Sequence, residues 1–82
     1  MALTLFTRAI AITKSDDTIV GCKAIYVGGA GDVVLIPLAD YDAAAPTANS
    51  VTIKAPPVGT ILPIMTAKVM AATTATLLIA LY

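Results

Sequence analysis

The chain is 82 residues long, 59% hydrophobic and only 12% charged, with five Lys plus Arg balanced by five acidic residues, all of them Asp, and no His. A domain of this size buries only about 60% of the surface that its unfolded chain exposes; with Cys22 as the single cysteine and no histidine, neither an intrachain disulfide nor a structural zinc site can compensate, which leaves oligomerisation. Zero net charge argues against a nucleic-acid surface, and the uncharged stretches 55–67 and 69–82 are too short and too interrupted by Pro and Thr to cross a membrane as helices.

The opening MALTLFTR has no basic region ahead of an apolar run, so no secretory signal and a cytoplasmic site of synthesis are expected. Residues 1–8 read as an N-terminal arm ahead of a single β domain at 9–82. A short strand is expected over residues 9–13, closed by Lys14, Ser15, Asp16 and Asp17, whose side chains favour a turn. Residues 18–27 read either as one strand with a bulge at Gly21 or as two short strands. The stretch KAIYVGGAGDVVLIPL at 23–38 has two runs of strand composition on either side of Gly28, Gly29 and Gly31, which predicts a β-hairpin.

Residues 39–49, ADYDAAAPTAN, show no period and read as an exposed loop. Residues 50–55 alternate, with Val51, Ile53 and Ala55 on one face and Ser50, Thr52 and Lys54 on the other, as in a half-buried strand. Pro56, Pro57 and Gly59 make a stiff turn, and residues 60–70 resume an extended pattern in which Pro63 must sit at an edge, a strand start or a bulge. The last strand is expected over residues 74–82, with Ala75, Leu77, Ile79 and Leu81 on one side. Together these make an all-β fold, a small antiparallel β-sandwich or barrel of about six to seven short strands. Val33, Val34, Leu35, Ile36 and Leu38 would fill a core with one face and leave the other to be covered. Val34, Ile36, Leu38, Tyr41 and Tyr82 are therefore the interface candidates.

The inventory for catalysis is poor. Without His or Glu, a Ser or Cys nucleophile has no obvious base, and Cys22 reads as a buried small hydrophobe. The glycine cluster lacks the following helix and the spacing of a phosphate loop. Asp16 with Asp17, and Asp40 with Asp42, read as turn carboxylates, because no loop has the spacing of a calcium site. No enzyme, catalytic residue, metal or cofactor is expected.

Four segments carry a family resemblance: AITKSD at 11–16, KAIYVGGAGDV at 23–33, VGTILPI at 58–64, and TTAT with IALY within 73–82. They resemble, in order and over most of the chain, the small head-spike base proteins of tailed phages and of phage-derived gene transfer agents. Two features depart from that pattern: the loop at 39–49 is longer, and Ala72 stands where a glycine is expected. The resemblance implies a non-enzymatic virion protein made in the host cytoplasm and placed on the capsid surface. It would form a closed homo-oligomer, pentameric or trimeric, seated on the major capsid protein and serving as platform for a distal spike or fibre. A decoration (cement) protein elsewhere on the shell and a small ligand-binding β-barrel module are the competing readings. No nucleic acid or membrane partner is expected.

Overall fold

Seven strands form: β1 (Ala9–Ala11), β2 (Ala24–Val27), β3 (Val33–Pro37), β4 (Val51–Ile53), β5 (Ile61–Leu62), β6 (Thr66–Val69) and β7 (Leu78–Leu81). The structure, a computed structural model, describes residues 6–82; the first five residues of the expected arm lie outside the described residues. Two antiparallel sheets, ordered β1-β7-β2-β5 (sheet A) and β4-β3-β6 (sheet B), pack as a small β-sandwich. Ile25, Val27, Leu78 and Ala80 from sheet A meet Val33, Leu35 and Val69 from sheet B in the core, with Cys22 and Ala75.

The expected hairpin at 23–38 does not form. Its two strands exist, but β2 pairs with β7 and β5 while β3 pairs with β4 and β6, so residues 28–32 arch from one sheet to the other. The glycines serve close approach. A Cβ on Gly28 would strike the Leu77 carbonyl, one on Gly29 the Thr76 side chain, and one on Gly31 the backbone of Thr74 and Ala75. Gly31 also has φ of +137°, a conformation that L residues avoid. Residues 73–77 are thereby pressed along the arch. The Gly28 N–H donates to Leu77 O (3.1 Å), and the N–H groups of Thr74 and Ala75 both donate to Asp32 O (2.9 and 3.1 Å). Thr73 Oγ1, fully buried, accepts from Val34 N–H at 3.0 Å and donates to Val34 O at 3.1 Å.

Neither reading of residues 18–27 holds in full: the one strand is β2, while Val20 N–H donates to Ala67 O (2.7 Å) and Cys22 exchanges both backbone bonds with Thr66 in an isolated bridge, so this short segment runs along β6 at the edge of sheet B. Gly21 sits at the change of direction with φ of +59°, and β2 then enters sheet A. Residues 60–70 likewise split: β5 belongs to sheet A and β6 to sheet B, with Pro63 in the connection, where its missing N–H breaks no ladder. The last strand is shorter than expected and its phase is inverted. Ala75 is in the core, but Leu77 takes φ of +54°, which shifts the alternation by one residue. Leu78 and Ala80 then face the core, Ile79 and Leu81 face outward, and Leu77 is 75% exposed.

Gly29→Ala, which adds one methyl against the Thr76 backbone and side chain, should cost about 2–3 kcal/mol, the range for overpacking. Gly21→Ala, whose new Cβ meets nothing within 4 Å, should cost only the left-handed conformational penalty of about 1 kcal/mol. Urea denaturation of the two variants measures the difference; equal losses would remove the arch contact as the reason for Gly29.

Candidate functional site

The outer face of sheet B is closed by its own chain. On β6, between β3 and the segment at 15–22, Lys68 stands opposite Ile36 and is only 3% exposed. Its ammonium donates to Asp16 O at 2.7 Å and to Pro46 O at 3.1 Å and lies 5.4 Å from the centre of the Tyr41 ring. Two carbonyl dipoles and an aromatic face thus solvate a buried cation in place of water. Asp16 Oδ1 accepts from Ala71 N–H (3.0 Å), which fastens the same turn to the end of β6. Lys68 therefore holds down both the turn at 14–17 and the loop at 39–49.

This latch decides the standing of the interface candidates on β3. Ile36 has no exposed surface, so the expectation that its face waits for another subunit is corrected: Lys68 lies beside it and the latched loops close that face. Val34 is half-buried, with its backbone engaged by Thr73. Leu38, 47% exposed, begins a single 3-10 turn, Leu38–Asp40, and its N–H donates to Met65 O at 2.8 Å. Tyr41 is half-buried against Lys68. Tyr82 lies elsewhere, following β7: its hydroxyl donates to Val20 O (2.7 Å), and Arg8 stacks 5.7 Å from its ring centre. The five candidates do not form one patch.

The apolar surface that sequence reasoning missed is the outer face of sheet A. The registers Ala9↔Leu81, Ala11↔Ile79, Ala24↔Leu81, Tyr26↔Ile79 and Tyr26↔Ile61 put these side chains on one face, opposite to Ile25, Val27, Leu78 and Ala80. No member of the set is charged. Ala24 is buried, near Phe6, Pro63 and Met65; Tyr26, Ile79 and Leu81 are half-buried, and Ala9, Ala11 and Ile61 are exposed. An antiparallel sheet with one face on water ordinarily carries polar residues there. The signal in the sequence was the absence of polar residues from both alternating sets of β7; the shifted phase at Leu77 concealed which set faced out.

Beside this face, a groove of about 290 Å³ opens between β1 and residues 18–20, lined chiefly by Ile10, Ile12, Ile19, Val20 and Tyr82. Between the sheets, Ile25, Val27, Val33, Leu35 and Val69 are at 1% exposure or less.

The remaining chemistry-bearing groups have local roles. Asp32 Oδ1 accepts from Ala55 N–H (2.8 Å) and Asp42 Oδ1 from Ala44 N–H (2.9 Å), so both carboxylates order backbone turns. Among the described residues, no three of His, Cys, Asp or Glu converge as a metal site, and no helix is long and apolar enough to cross a membrane. Burial pushes the Cys22 thiol up from its ordinary value, against the smaller opposing effect of nearby backbone hydrogen bonds. No family model, curated protein or solved structure matches the chain.

Two outcomes follow. Lys68→Met keeps the aliphatic stem but strands two carbonyls; it should cost about 2 kcal/mol by chemical denaturation and make residues 39–49 the first site of limited proteolysis. Unchanged stability and cleavage would show that the latch carries no energy. Cys22, protonated and 2% exposed, should resist an aromatic disulfide reagent at pH 8 in the native protein and react at once in denaturant; fast native labelling would contradict its placement.

Proposed function

We propose that this protein is a non-enzymatic structural component of a tailed-phage or gene-transfer-agent particle, forming a closed homo-oligomer at the base of a head spike. The observation that carries the reading is the uncharged outer face of sheet A, where Ile61, Ile79 and Leu81 meet solvent in a chain with too little charge to coat itself. Such a surface marks an assembly contact. The segments KAIYVGGAGDV and VGTILPI, which resemble the head-spike base family, supply the particle. On this reading the major capsid protein lies beneath the oligomer and a spike or fibre protein above it. A decoration protein would use the same surfaces at a different place on the shell.

Native mass spectrometry of the purified protein at micromolar concentration tests the oligomer. A single closed species of three or five copies is expected; a well-behaved monomer would contradict the proposal.

A further inference from the structure

The phase of the β1 ladder shows which of its backbone groups are already used. Ile12 N–H donates to Leu78 O, and Arg8 O accepts from Tyr82 N–H. Residues 8, 10 and 12 therefore turn their backbone toward β7, and Ala9 and Ala11 turn theirs outward. All of β1 is exposed. Within Ala9–Ala11 it holds neither a charge nor a proline, and the ladder's irregularity, where Thr7 N–H donates to Tyr82 O while Tyr82 N–H donates to Arg8 O, lies just before it. The flanking cations are folded back on their own chain: Arg8 stacks on Tyr82, and Lys14 Nζ donates to Thr73 O at 2.7 Å.

The other sheet edges differ. Residues 15–22 cover β6, and β5 is two residues long and runs into Pro63. At β4, the bond from Met70 N–H to Val34 O turns Val34 toward β6, so Val33 and Leu35 bond Ile53 and Val51 and Thr52 faces outward. β1 and β4 lie at opposite flanks of the sandwich. β1 runs on to residues 15–22 along β6, whereas β4 lies on the side of β3 away from β6.

We propose that β1 is a strand-addition site for a second copy of this chain, entered head to tail by that copy's β4 edge. Thr52 pairs antiparallel with Ala9 and Ser50 with Ala11, which sets Val51 opposite Ile10 beside the apolar groove. This rests on the oligomer reading above and names its contact. The occupant follows from the chain carrying both halves. Pairing of unlike edges repeats from copy to copy and makes a ring where the rotation between copies closes, whereas β1 against β1 would stop at a dimer. Neither β1 nor β4 holds a charge, so the contact meets no like-charge conflict. A standard contact covers about 800 Å² per partner, and two of them would cover about a third of the 4854 Å² that the chain exposes. Three of the exposed apolar residues lie at these edges, Ile10 on β1 with Ile19 across the groove from it, and Val51 on β4.

Ala11→Pro removes an N–H that bonds no described residue, whereas Ile10→Pro removes one that bonds β7. Native mass spectrometry and circular dichroism on the full chain should show Ala11→Pro folded, with at least a tenfold loss of association, and Ile10→Pro destabilised as a fold. In a Cys22→Ser background, the pair Ile10→Cys with Val51→Cys should cross-link into closed rings on oxidation, while Ile10→Cys alone should not. A wild-type oligomer that persists in folded Ala11→Pro, or cross-linking by Ile10→Cys alone, overturns the edge contact and leaves the oligomer reading standing. A wild-type monomer overturns both. Should Ala11→Pro fail to fold, Thr52→Pro on the opposite edge and the cysteine pair decide the same question.

Discussion

The close approach of residues 73–77 to the glycine arch at 28–31 is the constraint on which the molecule depends. Gly28, Gly29 and Gly31 leave no room for a Cβ against that segment, and Asp32 and Val34 complete the contact through five hydrogen bonds to Thr73, Thr74 and Ala75. A polypeptide of 82 residues without disulfides cannot rely on a large core. Here the arch replaces the missing cross-link: it sends the chain from sheet A to sheet B and lets the last strand return between β1 and β2. Every later feature, including which faces are buried, follows from that crossing.

Once the sheets are separated, their outer faces meet different ends. Sheet B is covered by its own loops, and the cover is held by one buried cation, Lys68, with carbonyls and a tyrosine ring in place of a carboxylate. Sheet A is covered only around Ala24, near Phe6, Pro63 and Met65. Its outward set is uncharged, and among the described residues its edge strand β1 leaves the backbone groups of Ala9 and Ala11 unpaired. One outer face is thus largely closed by the chain's own loops, although Val34 stays half-buried and Thr52 exposed, and the other is apolar. The oligomeric, particle-bound role proposed above draws on that asymmetry together with the sequence likeness.

Much of the fold was legible because strand pattern is local. The break at Pro56 and Pro57, the aperiodic loop at 39–49 and the burial of Cys22 appear where residue types place them, whereas the strand expected at 50–55 shrinks to Val51–Ile53, with Val51 and Ala55 exposed and only Ile53 half-buried. What was not legible depends on distant residues. The glycines at 28–31 fit a hairpin as well as an arch, and only the segment some 45 positions later decides between them. The inverted face of β7 comes from one left-handed residue, Leu77, of a type that gives no warning of that conformation. Lys68 gave no signal either, since an ordinary lysine in a strand reads as solvent-facing. Consequently the sequence pointed to an uncovered apolar face on β3, where Ile36 is sealed, and not to the apolar outer face of β2 and β7.

A cryo-electron microscopy reconstruction of the phage-like particles released by the source strain tests the central claim most directly. The account predicts a closed ring of this β-sandwich on the capsid surface, with the outer face of sheet A covered and further spike density rising from the ring. Particles whose fully assigned surface contains no copy of the chain, or copies sitting as isolated monomers with that face open to solvent, would contradict it.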